Sequence, residues 1–110
     1  MMRHVMRIHL SDAGYQVEQA EDAIQAGHAI LKRPPDLIIC DVNMPHMTGI
    51  EFVSTLKSDK SIPEIPVIFL SSYEDGHAAG MRAGASLYLT KPITKEKLLT
   101  AVASTIGTGV

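Results

Sequence analysis

Two stretches of the chain are apolar without interruption, Leu37–Cys40 and Val67–Leu70. Each stops on a polar group: Asp41 after the first, Ser71 and Ser72 after the second. Short unbroken apolar runs suit strands buried on both faces of a parallel sheet. A shorter run, Ser86–Leu89, ends at Thr90, Lys91 and Pro92, and Tyr15–Ala20 alternates weakly; both read as strands. Elsewhere the rhythm is helical. Met2, Val5, Met6, His9 and Leu10 share one face of an opening helix, with Gly14 placed to stop it. Glu21 and Asp22 are favourable acids at the start of the next helix, whose apolar face is Ala23, Ala26, Gly27 and Ile30. Gly27 is its weak point, because a mid-helix glycine costs about 1 kcal/mol against alanine. Pro34 and Pro35 end that helix.

The second half repeats the alternation. Asp41 is followed by Asn43 and a turn at Met44 and Pro45. Thr48 and Glu51 have capping-box spacing for a helix carrying Ile50, Phe52, Val53 and Leu56. Lys57–Ile65 is a polar connection. Asp75–Ala83 reads as a polar helix of small residues stopped by Gly84. Thr94 caps a last helix with Leu98, Leu99, Val102 and Ile106 on its apolar face; Gly107 ends it, and Thr108–Val110 is expected to fray. A helix followed by four strand–helix units predicts an α/β fold, a three-layer sandwich around a four-stranded parallel sheet.

Composition narrows the picture. The 110 residues suit one domain, residues 1–110. A net charge of −2 offers no basic footprint for direct nucleic-acid binding. No stretch approaches the roughly 20 apolar residues of a membrane span, and MMRHVMRIHL lacks the features of a signal peptide. A single cysteine, Cys40, within an apolar run reads as a small core residue, in keeping with a cytoplasmic location. The five histidines are scattered and suggest neither a metal site nor a phosphohistidine site.

Candidate chemistry sits at the strand ends. In open α/β sheets ligands bind beyond the carboxyl ends of the strands. Parallel strands would bring Asp41, Ser71 with Ser72, and Lys91 to one edge. A carboxylate there can act as a nucleophile toward phosphorus. A lysine can neutralise the transferring oxygens, and a hydroxyl can donate to one of them. A plain Asp–Lys ion pair beside a serine turn fits the spacing equally well.

The stretches DLIICDVNMPHMTG, PVIFLSS and AGASLYLTKP resemble the receiver domain of two-component response regulators, and the resemblance runs from the first helix to the last. It implies a flavodoxin-like fold with strand order 2-1-3-4-5. It implies that Asp41 is the phosphoacceptor for a sensor histidine kinase or phosphotransfer protein, and that Ser71 is the switch hydroxyl. Lys91 would be the phosphate contact, preceding a cis Lys91–Pro92 bond, and Tyr88 the switch aromatic. Asp41 and the Asn43 backbone carbonyl would bind Mg2+. The face that an output protein or domain reads would be Asp75–Ala83, Ser86–Leu89 and Thr94–Ile106.

Two departures stand out. The family's first strand, ending in an acidic pair that holds magnesium, has no counterpart in these residues, as in a receiver truncated at its N-terminus; weak magnesium binding and slow phosphorylation are therefore expected. Gly27 stands where the family usually has a large apolar residue. The absent strand would leave one edge of Leu37–Asp41 open. Either Tyr15–Ala20 slides across to pair with it, or a second copy of the chain does; the second is favoured. Three functions compete. One is a phosphoacceptor signalling module rather than a turnover enzyme, or its phosphorylation-incompetent form acting as an interaction module. Another is a small aspartyl-phosphate hydrolase, which would need an acid–base partner near Asp41. The third, a nucleotide- or flavin-binding domain, lacks a Gly-rich phosphate loop.

Overall fold

A computed structural model of the chain describes residues 2–43, 47–72 and 76–106, with side chains from residue 5 onward in the first helix. The Met44–Pro45 turn, the helix start at Asp75, the Gly107 stop and the frayed Thr108–Val110 end lie outside the described residues. The elements in chain order are α1 (Met2–Asp12), α2 (Ala23–Lys32), β1 (Ile38–Asp41), α3 (Gly49–Ser58), β2 (Val67–Ser71), α4 (His77–Arg82), β3 (Leu87–Thr90) and α5 (Lys95–Ile106). They fall into two compact units, one of Met1–Gln19 with Ile93–Val110, the other of Ala20–Pro92.

In the first unit α1 packs on α5. Helix α1 ends as its glycine predicts. Gly14 has φ +98°, its N–H donates to Ser11 O at 3.1 Å, and Tyr15 N–H reaches Leu10 O at 3.0 Å. That hydrogen-bond pair satisfies carbonyls the helix would otherwise leave open. Leu10 is buried and Met6 and His9 half-buried, but Val5, expected on the apolar face, is exposed, as is Ile8. Thr94 caps α5, accepting from Lys97 N–H at 3.1 Å, and Leu98, Ala101 and Val102 are buried.

The second unit holds a sheet of three parallel strands in the order β1-β2-β3. Tyr15–Ala20, the fourth expected strand, joins no sheet among the described residues. Its pattern is weak, with Tyr15 and Val17 alternating against Gln16, Glu18 and Gln19. In the family order it would pair only with the strand that has no counterpart here. Nor has it slid onto β1, which is an edge strand of the sheet.

Strand β2, the middle one, is buried along its whole length. Ile30 of α2 and Phe52 and Val53 of α3 enter one core with Cys40, Ile65, Val67, Phe69, Ala85 and Tyr88. Helix α2 starts on Asp22, whose carboxylate accepts from Gln25 N–H at 2.8 Å. Helix α3 starts on the expected capping box, Thr48 N–H donating to Glu51 Oε1 and Glu51 N–H to Thr48 Oγ1, both at 3.1 Å. At the other end of α3, Lys57 donates to Glu64 at 3.1 Å and to Ile65 O at 2.8 Å.

Candidate functional site

Parallel register decides where the polar strand ends go. Asp41 lies opposite Leu70 and Ser71 opposite Thr90. Past the strands, Val42 N–H donates to Leu70 O at 3.0 Å and Lys91 N–H to Ser71 O at 2.7 Å. Asp41, Ser71 and Lys91 therefore arrive at one carboxyl edge. There the Lys91 ammonium stands 2.6 Å from Asp41 Oδ1. The two side chains keep 29% and 42% of their surface open, so the pair is partly solvated. Oδ1 itself is shut off from water, and among the described residues it accepts no well-directed hydrogen bond. Its close neighbour is the Lys91 ammonium, and Coulomb attraction at this separation does not need the angle.

The remaining groups are arranged around that pair. Ser71 closes β2 and is buried, whereas Ser72 and Asn43 are exposed. Gly49 opens α3 directly against Asp41: its N–H donates to Val42 O at 2.6 Å, and a Cβ there would run into the Asp41 carbonyl oxygen. The Cys40 thiol donates to that same oxygen at 3.3 Å. Burial, and then the neighbouring Asp41 charge, push the thiol pKa up to about 12. Tyr88, on β3, is buried, packing edge-on to Phe69 at 6.3 Å and to His77 at 5.4 Å between ring centres. Two glycines admit it. A Cβ on Gly76 would lie 2.6 Å from the Tyr88 hydroxyl oxygen, and one on Gly80 would lie 2.8 Å from the ring.

The expected residues Asp41, Ser71 and Lys91 thus come together, the Lys91–Pro92 bond is cis, and Tyr88 lies inward. Gly49, Gly76 and Gly80 were not singled out by sequence reasoning. The position of Gly49, at a fixed distance after Asp41, was the only sign of its role.

Magnesium requires near-octahedral oxygen coordination. Among the described residues no cluster of three or more His, Cys, Asp or Glu side chains could hold a metal ion. Among the described residues, the carboxylate that the strand ends bring to this edge is that of Asp41, already beside an ammonium. One carboxylate so paired does not by itself fit the ion.

These features define a parallel α/β module with a carboxylate–ammonium pair at its functional edge. The family model of the response regulator receiver domain matches residues 1–103, and the chain belongs to that family. It is 37% identical over 100 residues to the phosphate regulon transcriptional regulatory protein PhoB of Pseudomonas aeruginosa, a match covering 89% of this chain and 44% of that protein. It is 32% identical over 100 residues to the transcriptional regulatory protein PhoP of Escherichia coli, covering 90% of this chain and 44% of that protein. The chain thus spans less than half the length of these curated relatives. Among solved structures, a putative response regulator from Chloroflexus aurantiacus superposes with a TM-score of 0.90 at 28% identity, over 96% of this chain and 88% of that one. The Vibrio cholerae chemotaxis protein CheY4 gives 0.86 at 35% identity, over 94% and 88%. The fold is flavodoxin-like, and receiver domains of this kind are signalling modules of two-component systems. Among the described residues no helix is long and apolar enough to cross a membrane.

Proposed function

We propose that residues 1–110 form a single cytoplasmic receiver domain in which Asp41 accepts a phosphoryl group from a sensor histidine kinase or a phosphotransfer protein. The observation that carries this reading is the Lys91 ammonium 2.6 Å from Asp41 Oδ1 at the carboxyl edge of the sheet. A carboxylate oxygen of Asp41 attacks phosphorus, the bond from phosphorus to the donor's imidazole nitrogen breaks, and the imidazole leaves with that electron pair. Lys91 offsets the charge gathering on the transferring oxygens. Ser71, at the end of the central strand, follows the new acyl phosphate in this reading, and Tyr88 follows Ser71. Helix α4 and strand β3, which enclose Tyr88, present the change to an output protein or domain. The donor set predicts weak magnesium binding and slow phosphorylation of the chain as it stands.

The test is acetyl phosphate with magnesium, read by intact mass. The 110-residue chain should gain phosphate slowly or not at all. A chain extended at its N-terminus by a strand ending in two acids should gain one phosphate, and Asp41→Asn should abolish the gain. An extended chain that folds and stays unmodified would sink the phosphoacceptor reading, and rapid modification of the chain as it stands would sink the prediction of slowness.

The inward pose of Tyr88 favours a second reading, an interaction module whose switch aromatic is set by α4 packing rather than by phosphate. Partner binding that is unchanged in Asp41→Asn would select it.

A further inference from the structure

The outer face of α2 carries two of the most exposed large apolar side chains among the described residues, Ile24 at 69% and Leu31 at 66% of full exposure. They are seven residues apart, so they lie on one stripe, two helical turns from each other. His28, also exposed, sits between them. The opposite face, with Ala23, Ala26 and Ile30, packs into the core. Exposed aliphatics scattered singly need no explanation, but two on one stripe make a patch.

The charges around this stripe are ordered. Exposed Glu21 stands just before the helix, and exposed Lys32 and Arg33 stand at its end. This arrangement is self-complementary when reversed. A two-fold axis crossing the helix near residues 27 and 28 sets Ile24 of one copy against Leu31 of the other. The same operation brings Glu21 beside Lys32 and Arg33 of the second copy. A parallel pairing would instead set Glu21 against Glu21 and Lys32 against Lys32. Gly27, beside the stripe at its midpoint, contributes no side chain, and a Cβ built there meets nothing within 4 Å.

We infer that α2 is a self-association surface, on which a second copy of this chain docks its own α2 in antiparallel, isologous fashion. The contact is a single helix pair centred on two aliphatics per copy. It therefore falls at the small end of specific interfaces, and the dimer is weak and dependent on concentration. It uses neither Asp41 nor the sheet edge, so it stands apart from the phosphoacceptor reading.

Sedimentation velocity of the 110-residue chain across a concentration series tests it. The sedimentation coefficient should rise with concentration, and Leu31→Glu should remain monomeric with an unchanged circular dichroism melt. Glu21→Lys should weaken association by roughly 3- to 10-fold, as befits two exposed ion pairs. Adding Lys32→Glu to it should recover part of the lost affinity, since Arg33 still faces the new lysine. Single cysteines then read the orientation, because native Cys40 is buried and stays silent. Under a mild oxidant a mixture of Ile24→Cys and Leu31→Cys chains should cross-link, and neither variant should cross-link alone. A monomer at every concentration would overturn the inference. So would a dimer that survives Leu31→Glu, which would assign association to another face such as the outer edge of β1. Self-cross-linking of Ile24→Cys alone would overturn the antiparallel arrangement.

Discussion

Gly49 presses its backbone against Asp41 so closely that any side chain at position 49 would meet the Asp41 carbonyl oxygen. The contact is steric: Gly49 opens a capped α-helix, so its backbone torsions are open to any residue. Gly49→Ala should therefore cost about 1–3 kcal/mol by overpacking, read as a lower denaturant midpoint with an unchanged slope. If stability is unchanged, α3 yields more readily than its capping box and buried Phe52 and Val53 imply.

Tyr88 and Gly80 form a second steric pair, with Phe69 3.1 Å from the same imagined Cβ. Gly80→Ala should destabilise by about 1–3 kcal/mol despite improving helix propensity. In a double-mutant cycle, adding Tyr88→Leu should recover part of that cost, since the two positions touch. Strict additivity would show that the glycine does not admit the ring.

Gly27 is the opposite case. Its Cβ position is empty and it lies inside a helix. Gly27→Ala should raise stability by about 1 kcal/mol, seen as a higher melting temperature at protein concentrations low enough to keep the chain monomeric.

Cys40 makes stability depend on alkaline pH. Its pKa is raised on folding from 9.0 to about 12, so the native state holds the proton longer than the unfolded one. The corresponding stabilisation is complete below pH 9 and is lost as pH rises toward 12. The stability gap between the natural chain and Cys40→Ala should therefore narrow from pH 8 to pH 10.5. Denaturant titrations of both proteins at several pH values check it, and a constant gap would refute it.

The strands β1 and β2 were legible from the unbroken apolar runs Leu37–Cys40 and Val67–Leu70, and β3 from the shorter run that ends at Thr90, although β2 alone is buried along its whole length. The caps at Thr48 and Thr94 were legible because side chain and backbone partner lie within three residues; Asp22 was read only as a favourable acid, and its capping bond to Gln25 N–H is seen in the structure. Asp41 and Lys91 could be paired in advance because parallel strands send their ends to one edge. Tyr15–Ala20 misled because alternation reports only a preference, and a strand also needs a neighbour. The exposure of Val5 escaped because periodicity cannot fix where a helix face ends. Gly49, Gly76 and Gly80 escaped because a glycine's close approach depends on what another part of the chain brings to it.

The Asp41–Lys91 pair also governs what the site looks like from a distance. Opposite charges 2.6 Å apart nearly cancel beyond a few ångströms. An anionic small molecule approaching this edge therefore meets little net attraction from the pair until it is within a few ångströms of it. A macromolecular donor escapes that limit, since it can bring its own contacts to the surface and does not depend on a field from the pocket. On the proposal that Asp41 takes a phosphoryl group, the built-in neutrality of the pair favours delivery by docking over capture from solution.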